Sequence, residues 1–170
     1  MVRFVMASVL LFMAVVVQAE PAKAPANLLK PIAKVESWRF EQHEAGKGAL
    51  KAETETVTFT ASEIDGTDWH VQVFQVGLNL EDGETYTLSF EAKSPERRTI
   101  IVVAGVDGDD YHEIGLHEEI YATTAEYKQY EYTFTAENTL KGKNRIGFVL
   151  GTEKGSVTLK NATLVKKPKS

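Results

Sequence analysis

From residue 35 onward, apolar and polar residues alternate with a period of two. Trp38 and Phe40 alternate with Arg39 and Glu41, and Val57 and Phe59 with Thr56, Thr58 and Thr60. The same pattern returns in Tyr86, Leu88, Phe90 and Ala92, in Tyr130, Tyr132 and Phe134, and in Ile146, Phe148 and Leu150. Alternate residues of a strand point to opposite faces, so each run predicts a strand with one face in a core. Residues 98–106 are apolar on both parities, the pattern of a strand covered on both sides. Turn signals separate the runs: Asp65-Gly66, Asp82-Gly83, Asp107-Gly108, Lys141-Gly142 and Lys154-Gly155. No stretch from Glu20 on carries the i, i+3, i+4 spacing of a long amphipathic helix. Nine or ten short strands with glycine-containing turns predict an all-β protein, a jelly-roll β-sandwich of two antiparallel sheets. Residues 69–76 and 86–92 read as two strands joined by the turn Glu81-Asp82-Gly83. Residues 157–165 read as a closing strand with a bulge near Asn161.

The N-terminus departs from this pattern. Arg3 precedes a nearly unbroken apolar run, Phe4 to Val17, roughly 14 residues long and shorter than the ~18–20 that span a bilayer. Val17-Gln18-Ala19 has the small-x-small form of a signal-peptidase site, so residues 1–19 are expected to be a signal peptide cleaved after Ala19. Residues 20–34 follow as a flexible lead-in, 35–166 as the sandwich and 167–170 as a tail. An exported protein, periplasmic or extracellular, is expected. The chain has no cysteine, so an exported form would depend on its core and not on disulfides. Its net charge of −5 disfavours nucleic acid and anionic membranes and is compatible with a neutral ligand. Composition leaves the oligomeric state open.

Residues 69–93 read W-x-V-Q-x-x-Q-x-G-L-x-L-x-x-G-x-x-Y-x-L-S-F-x-A-K. This order resembles the carbohydrate-binding modules of the family 4/9 type, first described in bacterial cellulases and xylanases. The resemblance extends from about Trp38 to Val165. It implies a concave sheet carrying a ligand cleft, with Trp69 as a cleft aromatic at the start of its strand. It further implies Gln72 and Gln75 at two family glutamines, Tyr111 as the aromatic after the turn 107–110, and Arg145 as a polar cleft residue. Val149 falls where some cellulose-oligomer binders of the family carry Gln.

Residue chemistry suits the implied role, since sugars offer flat C–H faces to aromatic rings and hydroxyls to polar side chains. Parity leaves alternatives open. Trp69 shares the parity of Val71 and Val73, which allows the core as well as the cleft. Gln72 has the opposite parity and faces away from the core, while Gln75 has core parity and suits a bond to buried backbone. Arg145 could instead pair with a surface carboxylate. His70 is a further ligand-facing candidate. Asp107, Asp109 and Asp110 read as a solvated turn, and His112 and His117, five apart, do not share a strand face.

A structural calcium is common in such modules. Here Asn161 and the Asn27-Leu28-Leu29 stretch stand near its place, without the family's carboxylate. No zinc pattern, nucleophile elbow, P-loop or dinucleotide fingerprint occurs. The expected function is non-catalytic binding of a β-glucan, xylan or related polysaccharide by a stand-alone module that is not an enzyme and has no catalytic residues. The alternative is a structural or protein-interaction sandwich that binds no sugar.

Overall fold

A computed structural model describes residues 25–122 and 126–168, so the expected signal peptide lies outside the described residues. Ten strands are described: β1 (Arg39–Gln42), β2 (Lys47–Ala52), β3 (Thr56–Glu63), β4 (Val71–Leu78) and β5 (Thr85–Lys93), then β6 (Arg98–Val106), β7 (Glu113–Ala122), β8 (Lys128–Thr135), β9 (Asn144–Val149) and β10 (Gly155–Lys166). They form two five-stranded sheets, one in the order β1-β4-β9-β6-β7 and the other β2-β3-β10-β5-β8. Every pairing is antiparallel. This is the jelly-roll sandwich that the alternation predicts. The helical content of the described residues is two 3-10 turns, Val35–Ser37 and Asp68–His70.

The core lies where the inner faces meet. Trp38, Phe59, Phe90 and Phe148 form its aromatic centre, with ring centroids 5.0 Å apart for Trp38–Phe59 and 5.2 Å for Phe90–Phe148. Each fully buried side chain of this size contributes about 1.5–3 kcal/mol relative to exposure. Strand β5 shows the simplest consequence. Tyr86, Leu88, Phe90 and Ala92 are buried, and the residues between them face outward.

Strands β4 and β5 correct one expectation. They do not pair across the turn at Asp82-Gly83. β4 pairs with β1 and β9 in the first sheet, and β5 with β10 and β8 in the second. The connection crosses between sheets because Leu78 and Leu80 are drawn into the core, and the Asn144 side-chain amide donates to both of their carbonyls, each at 3.1 Å. The expected bulge in the last strand is present, with a register shift between Lys160 and Thr163 and Asn161 at φ 51°.

The described part of segment 20–34, expected to be a flexible lead-in, is held to the sandwich. The Leu28 N–H donates to the Leu164 carbonyl at 2.8 Å, and Leu29 and Ile32 pack on the core. Gln75, fully buried, accepts from the Lys30 N–H at 2.8 Å and donates to the Lys30 carbonyl at 3.1 Å. Its core parity therefore reflects a bond to backbone.

Candidate functional site

The first sheet has a second apolar cluster on its outer side. Phe74, Ile101, Val103 and Val149 are buried there, with Val76 packed against them, although none faces the core. Strand register explains the grouping. One row across the sheet runs Glu41–Gln72–Val149–Ile101–Glu119, the next Arg39–Phe74–Gly147–Val103–His117, and a third Val76–Arg145–Gly105–Glu113. Rows lie two residues apart, about 7 Å along the strands. The result is an apolar floor with polar walls on β1 and β7, enclosing a cleft of about 790 Å³. Apolar parity on both faces of β6 therefore marks this floor.

Trp69 and Tyr111 stand at opposite ends of these strands, and both line the cleft. Trp69 is 49% exposed and is not a core residue. It also does not begin the strand as expected. It sits on the 3-10 turn Asp68–His70, which breaks the parity shared with Val71. The turn is fixed from below, since the Gly151 N–H donates to the Asp68 carbonyl at 2.9 Å. A Cβ at position 151 would come within 2.3 Å of that oxygen, so the approach requires glycine. The Trp69 ring is steadied by His43, centroids 5.2 Å apart, and edge-on by His70 at 4.2 Å.

His70 is not among the residues lining the cleft. Its Nδ1 lies 2.7 Å from Asp65 Oδ2, and its ring packs against Trp69.

Tyr111 is 57% exposed and has φ 49°, an uncommon conformation for a side chain of its size. The loop that presents it is anchored at two points. Asp107, expected to be solvated, accepts from Arg39 Nη2 at 2.6 Å and Nη1 at 2.8 Å, a bidentate pair. This hydrogen bond from Arg39 holds the Asp107 carboxyl below the usual range and raises the pKa of Arg39 in turn. His112 is the second anchor. Its Nδ1 lies 2.9 Å from Asp110 and its Nε2 2.8 Å from the Asn138 carbonyl, and these acceptors, the carbonyl first, raise its pKa.

Gln72 and Arg145 lie between the two aromatics. Gln72 Nε2 donates to Glu41 Oε2 at 2.7 Å, which leaves its Oε1 as an acceptor. Arg145 is 6% exposed, contrary to the surface ion pair that sequence allows. Its guanidinium lies 4.0 Å from the centroid of Phe74 and 5.0 Å from that of Tyr111. Glu41 is its nearest carboxylate, at 4.0 Å, and Nε and Nη1 have no hydrogen-bond partner. Burial pushes the Arg145 pKa down, against the Glu41 charge. A buried guanidinium without acceptors leaves donor capacity for a bound oxygen.

The structure thus brings Trp69, Gln72, Tyr111 and Arg145 to one cleft. Sequence reasoning missed Arg39, Glu41, His43, Phe74, Glu113 and His117, which also line it. A signal existed for two of them. Arg39 and Glu41 have the parity opposite to Trp38 and Phe40, and only the pairing of β1 with β4 places that face beside Gln72.

The residues near the implied calcium position do not fit a hard cation. Asn27 Oδ1 already accepts from the Leu29 N–H at 3.1 Å and the Leu164 N–H at 2.9 Å, and Nδ2 donates to the Ala162 carbonyl at 3.2 Å. Asn161 donates to Glu91 at 2.6 Å. Among the described residues no group of three or more His, Asp or Glu side chains converges to hold a metal ion.

Comparison with known proteins adds independent findings. The sequence profile of the carbohydrate binding domain CBM_4_9 matches residues 33–150. The N-terminal cellulose-binding domain of Cellulomonas fimi β-1,4-glucanase C superposes with a TM-score of 0.65 at 22% identity, over 85% of this chain and all of that one. A CBM4 structure gives 0.67 at 21% identity, over 76% of this chain and 86% of the other. The CBM22-1 xylan-binding domain from Paenibacillus barcinonensis Xyn10C gives 0.57 at 13%, over 88% of this chain and all of the other. At these identities the likeness to solved structures establishes the fold. No curated protein matches the chain.

Proposed function

Because the chain belongs to the carbohydrate-binding domain family and binds carbohydrate without catalysis, we propose that its cleft receives a single β-glucan or xylan chain running across the strands of the first sheet. Trp69 flanks the chain on one side and Tyr111 on the other, each stacking on a sugar face. Gln72 Oε1 accepts from a hydroxyl and Arg145 donates to a sugar oxygen. The observation that carries this reading is the apolar floor of Phe74, Ile101, Val103 and Val149, exterior to the core, lying between two half-exposed aromatics and a buried arginine without hydrogen bonds. Sugars pair apolar faces with hydroxyl edges, which is the complement of such a surface.

Export supports the same reading, because polysaccharides of this kind lie outside the cell. The apolar run 4–17 followed by Val17-Gln18-Ala19 supports a signal peptide cleaved after Ala19. Among the described residues no helix is long and apolar enough to cross a membrane. A net charge of −5 disfavours nucleic acid and an anionic membrane surface.

Affinity electrophoresis against soluble β-glucans, xylan and mannan tests the proposal. Retardation by a β-glucan or xylan, abolished in Trp69→Ala and in Tyr111→Ala, is expected. Wild-type protein that no member of the panel retards would refute it and favour a sandwich that does not bind sugar.

A further inference from the structure

Two arginines and two carboxylates form one charged group at the polar wall of the cleft, with Arg39, Glu41 and Arg145 on its lining and Asp107 held behind by Arg39, and the contacts among them are divided unequally. Arg39 holds Asp107 by the bidentate pair and lies against Glu41 in an ion pair of 2.5 Å at Nε, whose angle is not that of a hydrogen bond. Arg145 takes neither by hydrogen bond. Glu41 Oε2 stands 4.0 Å from its Nη1 and is already occupied by Gln72 at 2.7 Å. Glu41 is therefore the shared member of the group. It fixes Arg39, it orients the Gln72 amide, and it supplies the nearest negative charge to Arg145. The four side chains sum to zero charge, although Arg145 keeps unused N–H donors in a nearly buried position.

This arrangement bears on the charge of the ligand. A lone buried arginine with free donors is a natural receptor for a carboxylate, which it would grip with two parallel hydrogen bonds. A uronate entering here would meet Arg145 already balanced by Glu41 and would bring its own charge close to the Glu41 carboxylate. Asp68 and Glu113 also line the cleft, adding negative charge around it. A hydroxyl or ring oxygen accepts from Arg145 without that repulsion. Specificity of this kind arises from an unfavourable contact with the wrong ligand as much as from a favourable one with the right ligand.

We infer that Glu41 is the residue that sets the charge class of the ligand, restricting the cleft to neutral sugars and excluding uronic acids by balancing Arg145. The inference rests on the reading of this cleft as the glycan site. It predicts a latent uronate site that one isosteric substitution would expose. Glu41→Gln keeps the shape and the capacity to accept from Gln72 but removes the charge, leaving Arg145 free for a carboxylate.

The test measures affinities of the full chain for cellohexaose, xylohexaose and tetragalacturonic acid by calorimetry, at low and high salt. Wild-type protein is expected to bind a neutral hexaose and to discriminate against the uronate. In Glu41→Gln the ratio of uronate to neutral affinity should rise on the order of tenfold or more, because the substitution removes the carboxylate that stands 4.0 Å from Arg145 Nη1. The gain should shrink at high salt. Glu41→Asp, which keeps the charge, should retain wild-type discrimination, and the double variant Glu41→Gln/Arg145→Gln should lose the gain.

The inference is overturned if wild-type protein prefers the uronate, or if Glu41→Gln lowers both affinities in parallel, as a purely structural role would. Neutral binding that Trp69→Ala abolishes, together with an unchanged ratio in Glu41→Gln, defeats the inference and leaves the cleft reading standing. Wild-type protein that binds neither class defeats both.

Discussion

Replacing each of the two tryptophans by alanine separates the cleft from the core. Trp38 is 8% exposed and Trp69 is 49% exposed. A tryptophan offers up to about 250 Å² of surface, so roughly 120 Å² of Trp69 is free for a ligand. A sugar covering between half and all of that area gains about 1.5–3 kcal/mol at about 25 cal/mol per Å². Trp69→Ala should therefore weaken glycan binding by about 10- to 150-fold. Its effect on folding should be small, about 1 kcal/mol, because the ring touches His43 and His70 at the surface and no core residue is left with a cavity.

Trp38→Ala should act in the reverse sense. It opens a cavity beside Phe59 and Phe148 and leaves the Ile32 carbonyl without its bond from Trp38 Nε1, now 2.9 Å. That loss should amount to about 3–5 kcal/mol of stability. Urea unfolding measures the stabilities, and a glycan titration of each folded variant measures the affinities. Since these are the chain's two tryptophans, Trp38→Ala, where it remains folded, also reports Trp69 fluorescence alone, which bound sugar should perturb. A folded Trp69→Ala variant with wild-type affinity, or one destabilised as much as Trp38→Ala, would refute the assignment of Trp69 to the cleft.

Three further outcomes follow from the same contacts. Arg98, 1% exposed, donates to the carbonyls of Gly155, Leu150 and Glu153, so Arg98→Met should leave three acceptors unpaired at the β9–β10 turn and lower stability by about 3 kcal/mol or more in urea unfolding. His112 has acceptors at both ring nitrogens, so its protonated form holds the Tyr111 loop. Its folded pKa is raised above the ordinary 6.5, so this stabilisation is fully present below 6.5 and is lost as pH rises through the folded value. Glycan affinity should fall over that interval in wild type and stay flat there in His112→Gln, as a titration series at several pH values would show. Gly147→Ala should deform the cleft floor, because its Cβ would come within 2.0 Å of the Val73 carbonyl and 2.5 Å of the Phe74 ring. Thermal unfolding should show a loss of about 1–3 kcal/mol or more, together with weaker glycan binding.

Strand identity was legible in the chain because alternation is a local property. A residue two positions away lies on the same face whatever the strand packs against, so the patterns at Val57–Phe59, Tyr86–Ala92 and Ile146–Leu150 could be read without a partner. The closing bulge near Asn161 and the buried backbone bond of Gln75 were legible for the same reason. Trp69 was not. Its parity argued for the core as readily as for the cleft, and only the 3-10 turn held against Gly151 rotates it out to the surface. Nor could the turn at Asp82-Gly83 reveal that β4 and β5 belong to different sheets, since a connection that crosses the sandwich uses the same residues as one that stays in a sheet.

The polar wall depended most on tertiary structure. Arg39 and Glu41, Gln72, Asp107 and Arg145 come from four separate stretches of the chain. Their charges acquire a relation to one another only when β1 pairs with β4, β4 with β9 and β9 with β6. Sequence by itself determined a β-sandwich with one outward face of mixed chemistry. Strand order decided which charges face each other across a few ångströms, because Coulomb energy depends on distance in space and parity along a chain does not specify it.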